Sequence, residues 1–186
     1  MATEIEAKVK VPDLAPVREK LKSAGGKRLG SWLENNCFFD TPDIRLRRQD
    51  RGIRIRVAMD ESGHRKCTVT MKGPLQKGQF KTRDEIEFSA DDPDAVQKIL
   101  ENLGLGLTLS FEKKRESWSF ADCEVELDEL PYLGKFVEIE GKTEATITSA
   151  RAALGLAELP LISSGYISLL SRYLDEHGIK DQKITF

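Results

Sequence analysis

Apolar and charged residues alternate strictly from Thr3 to Val11, setting Ile5, Ala7, Val9 and Val11 against Glu4, Glu6, Lys8 and Lys10. A period of two places each set on its own face of a β-strand. The alternation recurs in Ile53–Val57, Arg83–Phe88, Glu124–Asp128 and Val137–Glu140. Residues 66–72 and 111–120 bring the set to seven or eight strands. Asp60–His64 reads as a hairpin loop and Gly73–Gly78 as another loop. Between the strands, four segments carry helical spacing. Asp13 is positioned to cap a helix over 14–24 that stops at Gly25. Asp91 or Asp92 followed by Pro93 opens a helix carrying Val96, Ile99, Leu100 and Leu103 and ending at Gly104. Thr143 caps a third, running to Gly155. The fourth carries Tyr166, Leu169, Leu170, Tyr173 and Leu174 and stops at Gly178. The tail from Lys180 reads as loosely held, with Ile184 and Phe186 able to dock. No repeat or linker divides residues 1–186, so one domain is expected.

The unusual feature is what occupies the polar face. Ordinary wet sheet faces carry Thr, Ser and Gln; here the alternate positions are Glu4, Glu6, Lys8, Arg54, Arg56, Lys72, Lys81, Arg83, Glu85, Glu87, Lys113, Arg115, Glu124, Glu126, Asp128, Glu138 and Glu140. Like charges two residues apart on one strand face lie about 6.5–7 Å apart. Their repulsion is small in water but reaches about 2–3 kcal/mol at an effective dielectric near 20. An enclosed acidic pair therefore calls for a cation, and an enclosed basic pair for a polyanion. A polyphosphate carrying Mg²⁺ or Mn²⁺ answers both demands, with Arg and Lys on phosphate oxygens and carboxylates on the hard metal. Eight such strands can close into an antiparallel barrel with helices against Ile5, Ile55, Ile86, Val125 and Ile139 and the charged face inside. An open sheet with one wet face fits the same periodicity.

Composition narrows the alternatives. The 186 residues include 29 basic and 31 acidic side chains, a net charge of −2, which argues against a nucleic-acid polymer or an anionic membrane as partner. No run of about 18 apolar residues predicts a membrane span, and the N-terminus lacks a signal-peptide pattern. Cys37, Cys67 and Cys123 are odd in number and widely spaced, which points to a reduced, cytoplasmic chain. Two histidines do not make a zinc site, and both read as surface residues. Gly141-Lys142-Thr143 lacks the earlier glycine of a phosphate-binding loop and reads as a strand-to-helix turn. Trp32 and Trp118 read as wall or helix-contact residues.

Several segments then add a resemblance. Glu4-Ile-Glu-Ala-Lys8 matches the E-x-E-x-K opening of the CYTH, or triphosphate tunnel metalloenzyme, superfamily. Phe38–Pro42, Gly52–Arg56, Thr70–Pro74, Lys81–Glu87, Lys113–Arg115, Leu127–Glu140 and Gly165–Leu170 resemble its later segments in order, over about residues 3–174. The resemblance implies an α+β fold, a closed eight-stranded antiparallel tunnel with helices outside. It implies Glu4, Glu6, Glu138, Glu140 and Asp128 as metal ligands, with Asp128 alternatively orienting a basic residue. Lys8, Arg54, Arg56, Lys72, Arg83, Lys113 and Arg115 are implied as triphosphate ligands, and Glu4, Glu6, Lys8, Arg54, Arg56 and Arg115 as catalytic. Lys114 competes with Lys113, and parity with Arg115 favours Lys113. Phe38 stands where the family usually has Tyr, and Gly165 where it has Ser. Members either cyclise ATP to cyclic AMP and pyrophosphate or hydrolyse thiamine triphosphate or tripolyphosphate. The stretches around Phe39–Pro42 and Leu133–Glu140 look closest to the cyclase-like branch. Cyclase relatives are often dimers, which leaves a homodimer open. A non-catalytic polyphosphate- or nucleotide-binding module is the reading from another class.

Overall fold

The computed structural model describes residues 2–76 and 80–186, with the side chains of 2–4 and 81 outside the described set. In chain order the elements are β1 (Ala2–Val11), α1 (Ala15–Ser23), β2 (Lys27–Asp40), α2 (Arg45–Arg48), β3 (Gly52–Asp60), β4 (Arg65–Lys72) and β5 (Lys81–Ala90). Then follow α3 (Pro93–Asn102), β6 (Gly106–Phe120), β7 (Cys123–Leu130), β8 (Gly134–Gly141), α4 (Glu144–Ala153), α5 (Tyr166–Glu176) and β9 (Lys183–Ile184).

Eight strands pair antiparallel in the order β2-β3-β4-β5-β1-β8-β7-β6, and β6 returns to pair with β2, which closes the barrel. Closure rests on the one long strand that lacks a clean alternation. In β2 the run Leu33-Glu-Asn-Asn36 interrupts the apolar-polar pattern, so no strand was expected there, yet Lys27–Asp40 pairs with both β3 and β6. Closure removes both edges of the sheet and leaves the charged positions of every strand facing one interior.

Among the described residues, two apolar clusters cover the barrel from outside, and a third packs α5 onto strand positions of inward parity. α1 and α4 bring Val17, Leu21, Ile147 and Leu154 onto the outward Ala7, Val9, Val125, Val137 and Ile139 of β1, β7 and β8. α3 places Leu100 against Phe39, Ile55 and Cys67. α5 lays Tyr166, Leu170 and Leu174 against Leu109, Phe111, Leu130 and Phe136. No described helix covers β5: Ile86 is 57% exposed and Phe88 54% exposed, so Ile86 is not the helix-packing position that the alternation suggested.

The helix ends mostly follow their sequence signals. The Asp92 carboxylate accepts from the Asp94 and Ala95 amides, and the Thr143 hydroxyl accepts from the Thr146 amide. Asp13 behaves differently. Helix α1 is entered through Leu14 without a side-chain cap at the usual position, because Asp13 accepts instead from the Leu14 amide and from Lys135 Nζ at 2.8 Å. The tail is held more firmly than expected. β9 pairs parallel with β6 beyond the reach of β7, and Ile184 is buried in the α5 cluster. We expect Ile184→Ala to lower stability by about 2 kcal/mol or more. Phe186→Ala, which removes only a half-exposed ring beneath Lys114 Nζ, should cost under about 1 kcal/mol. Urea midpoints of the two variants measure the difference.

Candidate active site

A cavity of about 560 Å³ runs through the barrel, and its wall is the set of alternate positions on the strands. Glu6, Lys8, Arg54, Arg56, Lys72, Arg83, Lys113, Arg115, Glu138 and Glu140 all line it. Glu4 lies on β1 opposite Arg83 in register; its side chain is outside the described residues. Lys113 faces inward and Lys114 outward over Phe186, as the two-residue period requires.

The cations are held by carboxylates, because charge this deep is tolerated only when paired. Lys8 is almost fully buried on β1, with Nζ 3.0 Å from Glu138, 3.7 Å from Glu6 and 3.1 Å from the Ser164 carbonyl, above the Tyr166 ring. Burial pulls its pKa down, but Glu138 and Glu6 more than compensate and it stays above the ordinary lysine value. Arg115 donates to both oxygens of Asp128, at 2.7 and 2.6 Å, and to Glu138 at 2.5 Å. Burial opposes its charge too, and Asp128 and Glu126 overcome it, so its pKa is raised.

Asp128 is wholly buried and is not part of the cavity wall. Besides Arg115, it contacts Lys113 at 3.4 Å and accepts from the Tyr166 hydroxyl at 2.9 Å. Those partners fit the orienting role for Asp128 better than the metal-ligand role. Arg83 is likewise a clamp: its guanidinium donates to the Asp50 carboxylate and to the Asp50 and Gly73 carbonyls, tying the loop before β3 to the end of β4.

Two central residues went unnoticed in the sequence. Glu34 lies 3.1 Å from Lys113 and 3.4 Å from Arg56, and Asn36 sits beside it. Burial works against Glu34's charge, but Lys113, Arg115 and Arg56 hold its pKa far below the carboxylate range. Both lie on β2, where the broken alternation hid the strand; the signal available was only Glu34 and Asn36 sharing parity with Phe38. Tyr166 also reaches the wall, and nothing in its helical spacing marks it as a site residue.

Arg54 differs from the other cations. Its Nη2 meets the Thr70 hydroxyl at 3.2 Å, its Nε has no hydrogen-bond partner, and no described carboxylate lies at ion-pair distance. Burial, then the neighbouring Arg56, depress its pKa. At the other extreme stand the acids. Burial raises the pKa of Glu140, reinforced by Glu124, Glu6 and Glu85. Burial likewise pushes Glu126 up to about 8, against the pull of Arg115 and with Glu124 adding to it. Such mutually repelling oxygen donors suit a hard divalent cation. As placed, however, no three Asp, Glu, His or Cys side chains among the described residues stand at metal-binding spacing, and Glu138 is engaged with Lys8 and Arg115.

Two outcomes follow from this electrostatic arrangement. Asp128→Ala leaves Arg115 with Glu138 and Lys113 with Glu34 but removes the bidentate hold on Arg115 and the acceptor of the buried Tyr166 hydroxyl, and should cost about 2–3 kcal/mol in denaturant unfolding. Glu126 keeps its proton in the folded chain to about pH 8 but ionises near 4.5 when unfolded. Its contribution is therefore complete below pH 4.5 and lost as pH rises through 8. Stability should fall between pH 5 and 8.5, with Glu126→Gln flattening that slope in urea titrations.

A family model for the CYTH domain matches residues 2–163. A Methanocaldococcus jannaschii protein named "putative adenylate cyclase" is 35% identical over 137 residues, covering 74% of this chain and 75% of that protein. Among solved structures, the PH1819 protein of Pyrococcus horikoshii OT3 superposes with a TM-score of 0.78 at 27% identity, over 91% of this chain and 99% of that one. A candidate adenylyl cyclase from Hippeastrum, described as having a dominant triphosphatase activity, superposes at 0.69 and 19% identity, over 93% and 96% of the two chains. Coverage of most of the chain by the family model, together with the 35% relative, places this chain in the CYTH family.

Proposed function

We propose that this chain is a divalent-metal-dependent enzyme that binds a triphosphate along the barrel axis and converts ATP to cyclic AMP and pyrophosphate. The observation that carries the triphosphate reading is Arg54, a partly buried guanidinium with an unfilled Nε and no described carboxylate at ion-pair distance, in the wall of a cavity rich in cations. A partly buried arginine without a carboxylate is costly unless an anion completes it. Arg54, Arg56, Lys72, Lys113, Arg115 and Lys8 form a cationic track for phosphate oxygens, and Arg115 is held in place by Asp128. The cyclase reaction is favoured by the name of the 35% identical relative.

Glu4, Glu6, Glu138 and Glu140 would hold Mg²⁺ or Mn²⁺, which supplies charge neutralisation on the reacting phosphoryl group. In the cyclase reaction the ribose 3′-oxygen bonds to the α-phosphorus, its proton leaves, and the bond to the bridging oxygen of pyrophosphate breaks. The cationic track stabilises the negative charge on that leaving group. Hydrolysis at the terminal phosphorus uses the same track with water as nucleophile. The activity described for the Hippeastrum neighbour favours it as the second reading. The repelling acids Glu6, Glu124 and Glu140 weigh against a module that only binds polyphosphate, since they weaken anion binding unless a metal is present.

Offering ATP, thiamine triphosphate and tripolyphosphate separately, each with Mg²⁺ and with Mn²⁺, tests the proposal. Cyclic AMP plus pyrophosphate is the expected product pair; thiamine diphosphate or free phosphate instead assigns the hydrolytic reaction. Glu6→Gln should lower turnover by about 10²-fold or more with the fold intact by circular dichroism. Full activity in that variant removes the metal role. Arg54→Ala should weaken triphosphate binding and turnover even at saturating metal, by about 10²-fold in kcat/KM.

A further inference from the structure

The cationic track has a carboxylate built into its middle. Strand β2 lies between β3 and β6, the strands that bring Arg54, Arg56, Lys113 and Arg115 to the cavity, and it places Glu34 among them. Each carboxylate oxygen takes one cation. Oε1 lies 3.4 Å from Arg56 on one side, and Oε2 lies 3.1 Å from Lys113 on the other. The Asn36 amide donates to Oε2 at 3.5 Å. Burial opposes the charge of Glu34, and Lys113, Arg115, Arg56 and Arg54 together overcome it, so the carboxylate stays ionised.

Such a group acts on a bound polyanion in two opposed ways. Lys113 and Arg56 stand on strands separated by β2, and a carboxylate shared between them fixes how far apart their charges lie. The same carboxylate repels any phosphate that those cations attract, and inside a barrel little water screens the repulsion. Only 4% of the Glu34 side chain is exposed, so both effects pass through its charge and the cations it holds, without direct contact. The repulsion has a use. A track of cations with no such relief binds a polyphosphate product as firmly as the substrate, and slow product release then limits turnover. The other acids here have different places: Asp128 is wholly buried behind the wall, and Glu6, Glu138 and Glu140 fall to the metal in the reading above.

We propose that Glu34 is a positioning residue that sets Lys113 and Arg56 toward a phosphate and, by its own charge, loosens the hold of the track so that the polyphosphate product leaves. The proposal rests on the triphosphate reading above and adds a residue that works against affinity and for turnover. In the empty barrel Glu34 neutralises the two cations. When a phosphate arrives it stays in place as a second anion on the cations it shares.

Glu34→Gln in the full chain keeps the shape and removes the charge, while Lys113 retains Asp128 and Arg56 retains Glu87. Tripolyphosphate and pyrophosphate binding is measured in EDTA, and steady-state turnover in Mg²⁺ with whichever of ATP, thiamine triphosphate and tripolyphosphate the wild type converts fastest. Both anions should bind the variant about fivefold or more tightly, while kcat falls about tenfold and KM falls with it. A merely structural role weakens binding and turnover together. Glu34→Asp keeps the charge and shortens the reach; its affinity in EDTA should stay within about twofold of wild type while kcat drops about threefold or more. It decides the matter if Glu34→Gln fails to fold. Unchanged or weaker binding in Glu34→Gln, or undiminished kcat in either variant, overturns the role of Glu34 and leaves the triphosphate reading standing. An affinity in Glu34→Asp outside that twofold range does the same. Failure of the wild type to bind tripolyphosphate and to convert any of the three compounds overturns the triphosphate reading itself.

Discussion

Charge enclosed in a closed barrel must be compensated, and that requirement organises the molecule. Removing a charged side chain from water costs several kcal/mol unless a partner of opposite sign is close. The interior meets the requirement with interleaved signs: Lys8 with Glu138 and Glu6, Lys113 with Glu34 and Asp128, and Arg115 with Asp128 and Glu138. The network spans β1, β2, β6, β7 and β8, so it ties together strands distant in sequence. The same network leaves Arg54 without a described carboxylate and crowds Glu140 among other acids. Those two imbalances mark where an anion and a cation add most.

The apolar half of each strand works in parallel. Alternation delivers Val9, Val125, Val137 and Ile139 to the outside, where α1 and α4 bury them. This packing rigidifies the wall from which the charged side chains project, and Tyr166 links the two systems. It packs edge-on against Phe136 and donates to Asp128, so the position of α5 bears on the guanidinium of Arg115 two contacts away. The uncovered Ile86 and Phe88 of β5 show that covering is a matter of where helices fall along the chain, since the same alternation reads identically on β1 and β5.

Most of the wall was legible because strand periodicity sorts side chains without reference to tertiary structure. Glu6, Lys8, Arg54, Arg56, Lys72, Arg83, Lys113, Arg115, Glu138 and Glu140 all reach the cavity, and parity alone separated Lys113 from Lys114. What stayed hidden lies on β2. Glu34 and Asn36 sit in a run whose outward partner is the polar Asn35, so no amphipathic pattern announced the strand. Arg83 was legible as inward-facing but not as a clamp, and the choice between metal ligand and orienter stayed open for Asp128, because those roles depend on Asp50, Gly73 and Tyr166, which approach from other parts of the chain.

The sequence by itself determined the faces: a period of two separates ionic from apolar side chains within any strand, and the caps at Asp92 and Thr143 follow from local hydrogen bonding. Tertiary structure decided that the ionic faces look at one another. That outcome depends on β6 pairing with β2 across some 80 residues of chain, a long-range hydrogen-bond register that no local pattern encodes. It also decided that Arg54 lacks a described carboxylate partner, since pairing in a closed interior is settled by distances between strands and not by the order of residues along any one of them.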